Sequence, residues 1–347
     1  MSSGLSSDRI VKNQIIQEIE YENGKIRLRI FPEGSNDDQI PFVDGGLTFG
    51  LRDAMYGSCD AVWYIEGEEY FDRASGRTIY QKPVIALEGT DALQRGSSGN
   101  AQYQRFHHAL GAVREGIIGI YYLKPGNKKL RLDLYEMAYS ATKLEKGTYL
   151  ITQDLQVVEH IIKLINTYGE SSKELKDFLE QKTKEMHDIW VKEEFNKSYK
   201  GDWQTFADNR STIIQEDSII KYCARNKRNF TDSSQRAGHI AVGEMYLSKY
   251  FFIDKKIKYL FLRLFNDEKI ELDSKKATDK EWHLLRTEKN VEIKTVDDLI
   301  GLPQELRDNL IKIKDEPLKN GTEAMNIYKK TVQEICKMIK DGSIKVT

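Results

Sequence analysis

Two carboxylates stand where a chain could do chemistry with them. Asp60 opens the alternating, β-prone run Asp60-Ala-Val-Trp-Tyr-Ile65, and Glu88 closes the run Lys82-Pro-Val-Ile-Ala-Leu87, just before Gly89-Thr90. The apolar stretch Val84 to Leu87 suits a central strand buried on both faces, and a charge at the end of such a strand needs a partner. Hairpin-like pairing of the two runs would bring both side chains to one sheet edge. Side by side they repel as anions unless a divalent cation neutralises them, and hard oxygen ligands suit magnesium. Such a cation can activate water and stabilise phosphodiester cleavage. The competing explanation for either residue is a solvated turn, the usual lot of an Asp or Glu at a strand end.

The elements that must hold these residues follow from periodicity. A helix is expected over 8–20 with Ile10, Val11, Ile15, Ile16 and Ile19 on one side, then an Asn-Gly turn and a strand over Lys25 to Ile30. After Glu88, the positions of Phe106, Ala109, Leu110 and Val113 predict a helix over 100–113 with one buried stripe. Gly116 to Leu123 reads as a buried strand stopped by Pro125-Gly126, followed by a helix near 132–142, a strand over Thr148 to Thr152 and a helix over 154–165. This succession is an α/β domain with a mixed sheet. From Gly169 onward the chain turns charged and helical. A boundary near 168 is therefore expected, with a mainly helical second part over 169–347 whose best strand candidate is Lys258 to Leu264 and whose closing helix spans Ala324 to Ile339.

Asp60-Ala-Val-Trp-Tyr and Ile85-Ala-Leu-Glu88-Gly-Thr90, followed by a helix and a strand, resemble the PD-(D/E)xK nuclease core of many type II restriction endonucleases, over roughly residues 8–168. The resemblance implies a restriction-endonuclease-like core. In it Asp60, Glu88 and the Gly89 carbonyl would bind Mg2+, and a lysine two places after the Glu would assist the attacking water. That place is held by Thr90, which carries no charge. Lys82 is no substitute, because six residues of strand at about 3.3 Å each put it roughly 20 Å from Glu88. Gln102, four residues before Phe106 on the predicted stripe, is the candidate for holding a water or a phosphate, against the simpler use of its amide on backbone. Arg105 lies off the stripe and is expected to meet a DNA phosphate or an acidic neighbour.

Two other features are weaker. Gly96-Ser-Ser-Gly99 lacks the Gly-Lys-Ser/Thr ending of a phosphate loop and reads as a loop beside the site. The adjacent His107 and His108 point in different directions on a helix, with no further ligand one turn on, and are expected at the surface.

A net charge of −1 does not by itself point to a polyanion, but the charge is unevenly spread. The first seventy residues or so are acidic, whereas residues 219–263 are strongly basic. Within them Arg225, Lys227, Arg228, Asn229, Gln235, Arg236 and His239 mix cations with amide side chains. Cations suit phosphates, and Arg on guanine or Asn and Gln on adenine are the standard base-edge pairings. The competing explanation is a solvated basic face. Three scattered cysteines without CxxC spacing argue against a disulfide framework and a structural zinc, no apolar stretch is long enough to cross a bilayer, and the amino terminus lacks the pattern of a secretory signal. The expectation is a cytoplasmic, Mg2+-dependent endonuclease cutting double-stranded DNA at specific sites, as a homodimer if the sites are symmetric. The alternatives are a structure-specific repair nuclease, a catalytically inactive DNA-binding protein on the same core, and an unrelated α/β enzyme using Asp60 and Glu88 on a small substrate.

Overall fold

The computed structural model describes residues 7–20, 22–30, 48–51, 54–72, 76–95, 102, 105–192, 212–215, 217–223, 250, 258–264, 291–314, 316 and 318–347. The chain forms two compact units, Met1–Lys200 and Gly201–Thr347.

The first unit is built on a six-stranded mixed sheet. Its strands are β1 (Glu22–Asn23), β2 (Ile26–Ile30), β5 (Ala61–Asp72), β6 (Arg77–Thr90), β7 (Ile118–Leu123) and β8 (Tyr149–Thr152), in that spatial order; a separate antiparallel hairpin joins β3 (Thr48–Leu51) to β4 (Ala54–Ser58). From β1 to β6 the neighbours are antiparallel, and from β6 to β8 they are parallel. Strand β6 is the hinge between the two patterns. Its residues Val84 to Thr90 are all buried, as a strand with neighbours on both sides and helices on its faces requires.

Helices α1 (Ser7–Glu18), α2 (Ala92–Arg95), α3 (Phe106–Arg114), α4 (Asp133–Leu144), α5 (Gln156–Tyr168) and α6 (Lys173–Ile189) accompany this sheet. Helix α5 buries Val158, Ile161, Ile162 and Ile165, a one-sided stripe at helical spacing. Its Asn166 reaches back to the opening turn: Nδ2 donates to Asn23 O at 2.6 Å, and Oδ1 accepts from Lys25 N at 3.3 Å.

The division between units falls later than residue 168, and α6 is the reason. Despite its charged composition it buries Leu175, Leu179 and Met186, packs on α4, α5 and β8, and its Met186 Sδ accepts from the Ile151 N–H at 3.3 Å. It belongs to the first unit.

Among its described residues the second unit carries strands as well as helices. Strands β9 (Thr212–Ile214), β10 (Ser218–Cys223), β11 (Lys258–Arg263) and β12 (Val291–Thr295) form a sheet in the order β12-β11-β10-β9, parallel except for β9. Strands β13 (Leu299–Ile300) and β14 (Lys345–Val346) pair antiparallel. Helices α7 (Gln304–Ile313) and α8 (Glu323–Lys340) complete a core that includes Ile220, Leu262, Leu310, Ile335 and Ile339. The short strands β9, β10 and β12 carry mixed polar and apolar residues, so only Lys258 to Leu264 stood out by its apolar run.

Candidate functional site

The register of β5 on β6 carries the site. Ala61 faces Leu87 and Val62 faces Ala86, so one step along the same antiparallel ladder Asp60 comes opposite Glu88. Both are buried, Asp60 at 6% exposure and Glu88 at 1%. The Gly89 N–H donates to Asp60 Oδ2 at 2.8 Å, fixing that carboxylate against the strand that bears Glu88.

Each carboxylate meets basic side chains from a different segment. Arg105, just before α3, donates from Nη1 to Glu88 Oε1 at 2.8 Å, and His108 Nδ1 lies 3.4 Å from Oε2. Of the two partners expected for Arg105, the structure thus provides the acidic neighbour. On the other side, Lys12 Nζ stands 4.0 Å from Asp60 Oδ1, with only 11% of its side chain exposed. Helix α1 reaches this position because Val11 packs directly over Gly89. A Cβ built on that glycine would lie 2.3 Å from Val11 Cγ1, so only glycine lets the helix sit so close.

Lys12 is the site residue that sequence reasoning missed. The signal was present: it shares a helix face with Ile15, Ile16 and Ile19, and a lysine among isoleucines is a cation drawn into the interior.

The surroundings are apolar and hydroxyl-rich. Burial pushes the Cys59 thiol well above its usual range, with Glu88 and then Asp60 adding to the effect. The Tyr121 phenol is raised by burial, against the opposing pull of Arg105 and with a further push from Glu88 and Asp60. Both anions therefore act on the same buried groups. Tyr121 lies opposite Glu88 in the parallel ladder and donates to Gln102 O at 2.9 Å.

Thr90 is buried, and its Oγ1 accepts from the Ala92 N–H at 3.3 Å, so the hydroxyl is committed to the turn into α2. Gln102 does not belong to the buried helical stripe, since α3 begins at Phe106. Its amide serves backbone at both ends: Nε2 donates to Lys129 O at 3.0 Å, and Oε1 accepts from the Arg131 N–H at 2.9 Å. His107 and His108 are not at the surface as expected. His107 is fully buried and His108 largely so, because α3 packs against both the sheet and the β3–β4 hairpin. Lys82 is engaged far from the carboxylates, donating to Glu170 at 2.9 Å and Glu68 at 3.3 Å.

Arg225, Lys227, Arg228, Asn229, Gln235, Arg236, His239 and the loop Gly96-Ser-Ser-Gly99 lie outside the described residues. Lys221, the first cation of the basic segment, is 1% exposed within β10 and so is not part of a phosphate-facing surface.

Among the described residues, no group of three or more His, Cys, Asp or Glu side chains is arranged to hold a metal ion, and no helix is long and apolar enough to cross a membrane. Two buried carboxylates and a neighbouring backbone carbonyl are nonetheless a hard-oxygen set of the kind magnesium takes. Comparison of the chain with family models, curated proteins and solved structures finds no match.

Proposed function

We propose that the chain is a Mg2+-dependent endonuclease acting on double-stranded DNA, with Asp60, Glu88 and the Gly89 carbonyl as the metal-holding groups. The observation that carries this reading is the β5–β6 register, which sets two buried carboxylates on adjacent strands at one sheet edge. The donor set fits a hard divalent cation, which when bound would supply an activated water and charge neutralisation at the phosphodiester.

The chain's own groups do the rest. Gly89 N–H orients Asp60, and Lys12 supplies beside Asp60 the positive charge that Thr90 cannot. Arg105 holds Glu88 in its buried rotamer and competes with any metal for Oε1. Breaking that ion pair would leave a buried anion uncompensated at a cost of about 3–5 kcal/mol, so Arg105 would stay on Glu88 unless a bound cation offset the same charge. Site-specific recognition belongs in this reading to the basic segment after β10, and symmetric sites would call for a homodimer.

The competing reading is a DNA-binding protein that does not cleave. It is favoured by one observation, that Glu88 Oε1 is already held by the Arg105 guanidinium while Oε2 faces the His108 ring. Incubation with unmethylated phage DNA and magnesium separates the readings. Discrete bands are expected for a site-specific enzyme and a smear for a nonspecific one. Intact DNA with a mobility shift would overturn cleavage. Asp60→Ala and Glu88→Ala should abolish cutting while binding in calcium persists; wild-type rates in either variant would sink the site assignment.

A further inference from the structure

An acidic site that acts on a polyanion must offset its own repulsion, and the offset is best supplied by cations fixed at its rim. One segment beside the carboxylates has that character. Between β7 and α4 runs Lys124-Pro-Gly-Asn-Lys-Lys-Leu-Arg131, which carries four cations and no carboxylate. Lys128, Lys129 and Arg131 are exposed and Lys124 is half-exposed.

The loop is held rather than loose. Lys124 N donates to Thr90 O at 2.9 Å and Lys128 N to Leu93 O at 3.1 Å, while Gln94 Nε2 donates to Pro125 O at 2.9 Å. Gln102, itself only 4% exposed, spends both ends of its amide on Lys129 O and the Arg131 N–H. Gly126 lies so close to α2 that a Cβ there would be 2.3 Å from Leu93 O. Every one of these anchors belongs to residues 90–102, the stretch that leaves Glu88. Strands β6 and β7 are parallel, so the loop starts from the same sheet edge at which Glu88 ends.

The loop's cations also differ from the cations on α6. There Lys173 pairs with Asp177 at 2.8 Å and Lys182 with Glu185 at 2.9 Å. Among the described residues no carboxylate pairs with Lys124, Lys128, Lys129 or Arg131. A rigid backbone that presents unneutralised cations beside buried carboxylates is suited to a repeating anion.

We propose that loop 124–131 is a binding platform for the sugar-phosphate backbone of duplex DNA, gripping the strand presented to Asp60 and Glu88. This rests on the nuclease reading for its substrate and on the loop's own geometry for its contacts. Phosphate contacts position a duplex without reading its sequence, so the platform should act equally on all sequences.

The test is binding of the full chain to two duplexes of unrelated sequence in calcium, followed by fluorescence anisotropy across a salt series. In the triple variant Lys128→Ala, Lys129→Ala, Arg131→Ala, the slope of log K against log salt should fall by about 2.7, at about 0.9 per lost contact, and affinity at ~0.1 M salt should drop about 500-fold on both duplexes. Lys128→Arg with Lys129→Arg should bind like wild type, which a fold defect would not mimic. An unchanged slope in the triple variant overturns the platform, as does a wild-type chain that binds neither duplex. Cleavage is scored separately in magnesium. A wild type that binds through the loop but never cuts overturns the nuclease reading and leaves the platform standing; one that cuts while the triple variant binds normally does the reverse.

Discussion

Replacing Gly89 by alanine tests how the site is assembled. The added methyl would meet Val11 Cγ1 at 2.3 Å, with Val11 Cβ at 3.2 Å and Cγ2 at 3.3 Å. Ordinary carbon contacts begin at about 3.5 Å, so α1 must retreat by roughly 1.2 Å or Val11 must leave its rotamer. Val11 is fully buried and cannot swing into solvent. Overpacking of this kind costs about 1–3 kcal/mol. Val11→Ala alone removes two methyl groups, worth about 1.6 kcal/mol in transfer plus a cavity term. In the double variant the new methyl occupies the vacated space, so its cost should not exceed that of Val11→Ala, giving a coupling of about 1–3 kcal/mol in favour of the pair. Urea unfolding followed by tryptophan emission, to which the buried Trp63 and Trp190 contribute, measures all four corners of the cycle. A cost below about 0.5 kcal/mol for Gly89→Ala, or strictly additive costs, would refute the docking of α1 on this glycine. Because Lys12 rides on the same helical turn, Gly89→Ala should also slow cleavage, and the Val11→Ala partner should restore part of it.

Lys12→Met should lower the cleavage rate at saturating magnesium by about 10²-fold or more, within the range of a positioned charged group, and adding Thr90→Lys should recover part of the loss; a Lys12→Met rate within twofold of wild type would show that the cation is not used. Gln102→Ala strands the Lys129 carbonyl and the Arg131 N–H, so it should cost about 1–3 kcal/mol in urea unfolding and weaken DNA binding; a variant that loses rate while keeping full stability and affinity would instead place Gln102 in the chemistry. Burial, followed by the nearby Glu18, pushes the Tyr122 phenol up to about 12 from 10.0, against a lowering hydrogen bond from Gln14. The folded state therefore keeps this proton over the window from 10 to 12 where the unfolded chain has lost it, and stability must fall as pH rises through that window. Urea midpoints at increasing alkaline pH check the sign, and a rising midpoint would contradict it.

Strong periodicity made most of the first unit legible. The alternation in Lys25 to Ile30 and Asp60 to Ile65 and the apolar run ending at Leu87 became β2, β5 and the inner half of β6, and their pairing put Asp60 opposite Glu88 as the hairpin argument required. Charge patterning misled at α6, where few but well-placed apolar residues suffice to bind a polar helix to its domain. Long-range packing was invisible. Nothing near Asp60 in sequence announces Lys12, and nothing near His107 and His108 announces the hairpin that covers α3. Gln102 was identified as important from its place near Glu88, but its actual partners, 27 and 29 residues away, depend on how the β7–α4 loop folds back.

The bond from Asn166 to the turn at Asn23 and Lys25 spans 143 and 141 residues of chain. During synthesis the opening hairpin is therefore exposed well before its clasp leaves the ribosome. Strand β2 must also wait for β5, and Gly89 must arrive before α1 can dock. The earliest residues made are thus among the last to be secured, and Lys12 reaches the carboxylates only when the unit closes as a whole. A nascent or nicked chain would hold Asp60 and Glu88 without that cation, so a cut made between residues 30 and 60, which separates Lys12 from both carboxylates, should leave two fragments that gain their full set of site residues only on reassociation.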